Sequence, residues 1–320
     1  MKVIQVTTSS KGGAGIAALR LHQALHKAGI QSAYISLDRT IDYANLEVKD
    51  SFFAYRKPSL GQRIFRKLSK KNGNKTQVYQ RHLESWGDEL DYEIISFPFS
   101  KFNLEDHPLV QEADIIHLHW VGDFLDFESF FAVNTKPIAW TFHDMNPFKG
   151  IFHYQGDEDR NLQVRDMDRE ILKLKRKAIQ RITSGAVISP SQWLLECANQ
   201  SGYFNHFEQK VCIPNGMPLE VFKTAQGTDL RKNLGIMEDE KVLLYTSGTL
   251  DNHRKGVDLI LNALEILTVP VTLLTLGKGS METSNKAVKI IPLGFLSEAS
   301  EIAACYDAAD AFVLPSREDN

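Results

Sequence analysis

Three histidines and an aspartate fall close together in the middle of the chain. In "HLHW", His117 and His119 alternate, so both side chains stand on one face of an extended strand. That spacing suits two ligands of a metal site. In "WTFHDMNPFKGIFHY" (140–154), His143 and Asp144 close the next apolar run. A metal cluster would need a third ligand at matching depth, and His153, the nearest, lies in irregular sequence. The other reading has the histidines lining a cleft at the carboxyl ends of the strands, where open α/β sheets take their ligands. A histidine met alone, as His143 is on its spacing, is more often a hydrogen-bonded core residue.

A second candidate is "TTSSKGGAGIAALRL" (7–21), which follows the apolar run "KVIQV" and leads into a helical pattern. Strand, glycine-rich turn and helix is how proteins cradle phosphate. A triphosphatase loop needs a lysine after its last glycine and then Ser or Thr for magnesium. Those positions hold Ile16 and Ala17, while Lys11 precedes the glycines, so that reading fails. The spacing of Gly12, Gly13 and Gly15 is not the G-x-G-x-x-G of dinucleotide sites either. What survives is a tight turn whose backbone N–H groups can approach a ligand, beside the plain reading of a strand-to-helix turn.

The elements that must position these groups alternate along the chain. Strands are expected at "KVIQVTT", "QSAYISL", "YEIISF", "ADIIHLHWV", "KPIAWTF" and "SGAVISP". Helices are expected at 15–28 and 167–182, and from "SPSQWLLECA", with Ser189 as its cap. After the turn-rich "CIPNGMPLEVF" the alternation restarts: "KVLLYTSG", a helix over 256–267, "VTLLTLG", "VKIIPLG", a helix near 298–308 and "DAFVLP". Strand–helix alternation implies parallel sheets covered on both faces. The chain therefore divides into two Rossmann-like α/β domains, 1–215 and 216–320, the second ending abruptly after its fourth strand.

Composition limits the partners. The 320 residues carry a net charge of −3, and 43% of them are apolar, as in an ordinary soluble globular protein. That balance gives no reason to expect nucleic acid. The three cysteines, Cys197, Cys212 and Cys305, lie far apart and fit a reducing compartment. No apolar run approaches the roughly 20 residues that span a bilayer, and the N-terminus is too polar for a signal peptide. A cytoplasmic location is the expectation. One stretch departs from the average: residues 51–83 hold nine Lys or Arg and no Asp or Glu. It reads either as a solvated loop and helix or, through residues 56–75, as a contact with an anionic membrane surface or a phosphate-bearing acceptor.

Several segments, in order, resemble a branch of bacterial glycosyltransferases, the retaining enzymes of the GT-B fold. "WTFHDMNPFKGIFHY" is similar to their W-T-L-H-D-M-x-x-F-x-G-G-C-H-Y segment. "GGAGIAALRL", "DIIHLHW", "VISPSQWL", "IPNGMPLEVF" and "RKGVDLILNAL" match further stretches, and "PLGFLSEASEIAACYDAADAFVLPSREDN" resembles the approach to their donor-sugar motif. The resemblance covers nearly the whole chain. It implies two Rossmann-like domains facing across a cleft, the second incomplete. The implied reaction moves a sugar from a nucleotide-sugar donor to a saccharide or lipid-linked saccharide, with retention, in surface polysaccharide or glycolipid assembly. No metal or other cofactor is implied.

The residues suit that chemistry. Departure of a nucleoside diphosphate builds negative charge, which cations and helix-terminal N–H groups stabilise. Arg254 and Lys255 suit the donor diphosphate; by resemblance Gly277, Gly279 and the backbone around Phe295 lie near its nucleobase and phosphates, and Gly13, Gly15 and Gly248 are also expected on the donor side. By resemblance His143 is the active-site histidine and Glu318 the first glutamate of the E-x-x-x-x-x-x-x-E motif. Asp144 either orients His143 or meets the acceptor, near which Gly12, His119 and Asn146 are expected. The alternatives are an epimerase or hydrolase acting on a nucleotide sugar, and a non-catalytic saccharide-binding relative. Three departures stand out. Thr249 replaces a common arginine, "GIF" at 150–152 replaces Gly-Gly-Cys, and the motif's second glutamate would fall beyond residue 320. The resemblance therefore implies little transferase activity for these 320 residues.

Overall fold

The computed structural model describes residues 1–37, 51–55, 73–223 and 227–319. Most of the basic stretch 56–75 lies outside them. The chain divides into two compact units, Met1–Gly216 and Met217–Asp319.

Unit 1 is built on seven strands: β1 (Lys2–Val6), β2 (Gln31–Ser36), β3 (Phe52–Ala54), β4 (Ile115–Leu118), β5 (Ile138–Thr141), β6 (Gly185–Ser189) and β7 (Gln209–Cys212). Its helices are α1 (Gly12–Lys27), α2 (Gly73–Glu84), α3 (Pro108–Glu112), α4 (Phe127–Val133), α5 (Gln155–Arg160), α6 (Arg165–Ile179) and α7 (Gln192–Ser201). The sheet order is β3-β2-β1-β4-β5-β6-β7, all parallel. Strands buried on both faces are largely apolar, which explains the aliphatic residues of "VIQV", "IIHL" and "IAWT", with Gln5 and His117 as buried polar exceptions. Ile4, Val6, Ile116, Leu118, Ile138, Trp140 and Val187 form the main core with Ile179 of α6 and Leu194 of α7. A smaller cluster joins Phe97, Phe99, Ile151, Phe152, Met167 and Ile171.

Unit 2 holds α8 (Leu219–Lys223), α9 (Gly227–Asn233), β8 (Val242–Thr249), α10 (Val257–Glu265), β9 (Val271–Lys278), β10 (Val288–Gly294), α11 (Ala299–Ala308) and β11 (Ala311–Val313). The order is β10-β9-β8-β11, again parallel. Leu244 and Leu274 pack with Cys305 and Ala308 on one face. Tyr245 and Leu273 pack with Ile260 and Leu264 on the other, so helices cover both faces.

Two local expectations need correction. "YEIISF" forms no strand; only Ile95 bridges, antiparallel, to Phe152, because this segment packs against the loop at 151–153 rather than joining the sheet. The cap of α7 is Ser191, which accepts from Leu194 N at 3.2 Å. Ser189 is the last residue of β6, paired with Cys212, and cannot leave the sheet to cap a helix. The short strands β3 and β7 went unread because three or four residues carry too little periodicity to stand out.

Candidate functional site

In an open parallel sheet, a ligand crevice opens where neighbouring strands send their connections to opposite faces. In unit 1 that point lies between β1 and β4. The loop after β1 is fixed there: Thr8 N donates to Trp120 O at 2.7 Å and Thr8 Oγ1 to Gly122 O at 2.9 Å. Gly12 takes a positive φ of 72° as α1 begins. A Cβ on Gly15 would overlap the backbone of Ser9 and Ser10, whereas one on Gly12 or Gly13 meets nothing. The three glycines therefore do different work: Gly15 lets the helix pack on its own loop, and Gly13 leaves the surface open.

Beside this loop the three imidazoles form a stack. His117 and His119 lie 4.4 Å apart between ring centroids, and His119 and His143 lie 5.4 Å apart. His117 Nε2 pairs with Thr141 Oγ1 at 2.8 Å. His119 uses both nitrogens: Nε2 with Gln5 Oε1 at 2.8 Å and Nδ1 with His143 Nε2 at 3.1 Å. Burial pushes the pKa of His117 to about 3, that of His119 well below the ordinary range and that of His143 to about 4. All three are neutral at pH 7. Among the described residues, no three His, Cys, Asp or Glu are grouped to hold a metal ion.

Asp144 does not hydrogen-bond to His143. Its Oδ2 accepts from His153 Nδ1 at 2.6 Å and from Trp120 Nε1 at 2.9 Å, while Oδ1 accepts from Asn146 N at 2.9 Å. Burial alone would raise this carboxyl; the charge and hydrogen bond of His153, the Asn146 N–H and His143 outweigh it and hold it below the usual range. His153 Nε2 pairs in turn with Ser96 Oγ at 2.9 Å. Ser96, His153 and Asp144 thus follow the connectivity of a hydrolase triad. Ser96 is 1% exposed and lies under Gly122, where a Cβ would overlap it, so no substrate reaches that hydroxyl. The chain of bonds instead holds Trp120, whose ring stacks on His153 at 5.3 Å.

Asn146 closes its own loop. Its Nδ2 donates to Ile151 O and Phe152 O, and Lys175 Nζ donates to its Oδ1 and backbone oxygen at 2.9 and 2.8 Å. Ile151 and Phe152, from the "GIF" departure, point into the smaller core. Gly150 is required where it stands, since a Cβ would overlap Asp168.

Sequence reasoning missed four residues here. Gln5, Ser96 and Lys175 are buried polar groups, and a lone polar residue in an apolar strand is the signal Gln5 gives. Asp123 is the fourth: its φ of 57° makes it the one non-glycine with positive φ among the described residues. Its Oδ1 accepts from Phe97 N at 3.0 Å. It borders a recess of about 390 Å³ lined also by Gln80, Leu83, Glu84, Tyr92 and Phe97.

In unit 2 the strand order changes direction between β8 and β11, and the cations stand there. Asn252 Oδ1 accepts from Arg254 N and Lys255 N, holding the turn at 253–255. Arg254 Nη1 donates to Glu318 O at 2.7 Å and lies 3.7 Å from Asp319. Lys255 Nζ meets Asp319 Oδ2 at 2.5 Å, and Arg317 forms a two-pronged pair with Asp258. The loops after β8 and β11 are thus tied together around Asp319. Gly256 and Gly277 have positive φ, and a Cβ on either would overlap the backbone oxygen of Pro315 or Ser247. Gly279 also has positive φ, at 100°. A Cβ on Gly248 meets nothing. Phe295 is 62% exposed with Lys278 Nζ 5.7 Å from its ring centre. The structure brings Arg254, Lys255 and Glu318 to one place, and separately His119, His143 and Asp144 to another.

Two Rossmann-like units with these strand orders define an α/β architecture shared with glycosyltransferases of the GT-B fold. Residues 240–320 match the family "Glycosyl transferases group 1". Anabaena Alr3699/HepE, solved in complex with UDP-glucose, superposes with a TM-score of 0.59 at 18% identity, covering 99% of this chain and 74% of that one. Sucrose-phosphate synthase from Thermosynechococcus elongatus gives 0.60 at 15% identity, covering 99% and 76%. WaaG, a glycosyltransferase involved in lipopolysaccharide biosynthesis, gives 0.52 at 13%, covering 99% and 75%. No curated protein matches the chain in sequence.

Proposed function

We propose that the chain is a glycosyltransferase that moves a sugar, with retention, from a nucleotide-sugar donor to a saccharide or lipid-linked saccharide. The observation that carries this is the pairing of Arg254 and Lys255 at the switch point of unit 2, inside the segment that matches the group 1 family. Two adjacent cations there can neutralise the charge that develops on a departing diphosphate. No bound metal is then needed for that task, and chelation should leave turnover unchanged. Glu318, on the same loop, is proposed to meet the donor sugar, and Gly277 and Phe295 the nucleobase side. Unit 1 is proposed to take the acceptor, with His143 beside the transferred sugar. Within unit 1 the recess beside Asp123 is a candidate place for part of that acceptor. Surface polysaccharide or glycolipid assembly, at the cytoplasmic face of a membrane, is the setting we infer.

Thermal shift with UDP-, GDP- and ADP-sugars tests the reading, since a ligand that binds only the folded state raises the midpoint. One nucleotide class should stabilise the chain, and Arg254→Ala or Lys255→Ala should abolish the effect. Stabilisation by none of the three would overturn it. Release of free sugar without an acceptor would instead make the chain a hydrolase.

A further inference from the structure

The recess beside Asp123 has anchored walls and unengaged polar groups. Leu83 and Phe97, which line it, belong to the smaller core, and Leu90 and Ile95 pack against that core. Tyr79 anchors α2 there: its ring stacks on Phe97 and Phe99 at 6.1 and 5.8 Å, and its Oη donates to Glu170 at 2.8 Å. The opposite wall is held by a reciprocal pair. Asp123 N donates to Phe97 O and Phe97 N to Asp123 Oδ1, both at 3.0 Å.

Four polar side chains line the same space: Gln80, Glu84, Tyr92 and Asp123. The Gln80 amide, the Glu84 carboxylate, the Tyr92 hydroxyl and Asp123 Oδ2 have no hydrogen-bond or ion-pair partner among the described residues. Singly, such groups are merely hydrated. Gathered around apolar side chains in a space of about 390 Å³, they have the make-up of a small-molecule site. A pyranose divides its surface in the same way, with C–H faces that suit Leu83 and Phe97 and hydroxyl edges that suit the polar groups.

Charge narrows the ligand further. No Lys, Arg or His among the described residues lines the recess, whereas two carboxylates do. Ionised carboxylates only accept hydrogen bonds, so the ligand must bring donors. Desolvation raises the pKa of Asp123, against the pull of Phe97 N–H, His153 and Lys175. Both of those cationic side chains are buried and bonded elsewhere, His153 to Asp144 and Ser96 and Lys175 to Asn146. Neither can answer an anion in the recess.

We propose that this recess is a subsite for a non-acidic sugar residue, neutral or amine-bearing, and that it rejects uronic acids. That the residue belongs to the acceptor rests on the proposed sugar transfer; the chemistry of the recess does not. Asp123 follows His119 and Trp120 in the loop after β4, which places the subsite on the same end of the sheet as the histidine stack.

Methyl glucoside, methyl glucosaminide and methyl glucuronoside share one ring and differ in one group. Each can be titrated into the whole 15N-labelled chain at pH 6.5 and low salt, following the amides of Tyr92, Phe97 and Asp123. All three amides should shift with the glucoside. The glucosaminide should bind about threefold more tightly and the glucuronoside about tenfold more weakly, since like charges brought together at a binding surface are strongly disfavoured. Asp123→Asn keeps an oxygen to accept from Phe97 N and tolerates the φ of 57°. It should narrow the gap between the charged sugars by about threefold or more, as for an ion pair weakened by one charge. Glu84→Gln, at the exposed end of α2, should act in the same direction and serves if the first variant does not fold. Amides that stay still with every sugar, a glucuronoside bound as tightly as the glucoside, or folded variants with the native preference would each overturn the proposal. If the recess sorts sugars as stated while no nucleotide sugar stabilises the chain, the transfer reading fails and the subsite stands. If a nucleotide sugar stabilises the chain and the recess takes none of the three, only the subsite fails.

Discussion

His143 is half-buried, neutral, and hydrogen bonded to His119 on one side. If it acts beside the transferred sugar, His143→Ala should lower turnover far more than it lowers donor affinity. Steady-state kinetics beside a binding titration will show that split, and equal turnover would remove His143 from the mechanism. The stacked histidines also set an acid limit on unit 1. Their folded-state pKa values lie well below the ordinary value of about 6.5, so the unfolded chain binds more protons between the two. Their contribution to stability is complete above about pH 6.5 and is lost as the pH falls toward 4. Each adds a slope of up to about 1.4 kcal/mol per pH unit. Urea midpoints at pH 7.5, 5.5 and 4.5 should fall in that order; a flat series would contradict neutral burial. The motif residues themselves were legible because alternation and strand-end position are local. Their partners were not, since Gln5, Ser96 and Lys175 come from other elements. Lys175 in "KLKRKAIQ" reads as one of several solvent-facing cations, yet it is 1% exposed and bonded to Asn146.

At the scale of elements, the glycine loop separates packing from access. Gly15→Ala forces a Cβ into the backbone of Ser9 and Ser10, and overpacking of this kind costs about 1–3 kcal/mol. For a unit of this size that is a fall in Tm of roughly 2–12 °C. Gly13→Ala meets nothing and should shift stability by less than about 0.5 kcal/mol. Differential scanning calorimetry of the two variants distinguishes these outcomes, and a Gly13→Ala that still weakens ligand binding would mark the loop as a contact. The sequence pattern located the turn and its helix but not this division of labour, because contact of Gly15 with the preceding loop depends on how α1 docks. The misread "YEIISF" has the same origin. Its apolar spacing is that of a strand, and only tertiary packing against 151–153 decides otherwise.

Across the whole molecule, each unit gathers its distinctive polar groups where its strand order changes direction. Parallel α/β sheets were readable from the alternation of strands and helices. The strand orders were not, because nothing local tells a strand which neighbour to pair with. The basic stretch within residues 51–83 belongs to this scale as well. If this stretch meets a membrane rather than solvent, its nine cations should bind vesicles containing anionic lipid and leave neutral ones in the supernatant, each cation near the surface adding about 1 kcal/mol. Co-sedimentation with both lipid types checks this, and equal binding to the two would refute it.

Asp319 gives unit 2 one more property. Its carboxylate already rests against Lys255 and near Arg254, with Ser316 Oγ donating to it at 3.0 Å. An incoming diphosphate would meet cations already in company, so its arrival would be an exchange of anions. Such an exchange is less sensitive to ionic strength than capture by two bare charges, because one screened attraction replaces another. If the proposed donor binds there, the carboxylate would also set a threshold of charge: a singly charged anion would gain little by taking its place, while a diphosphate would gain the difference.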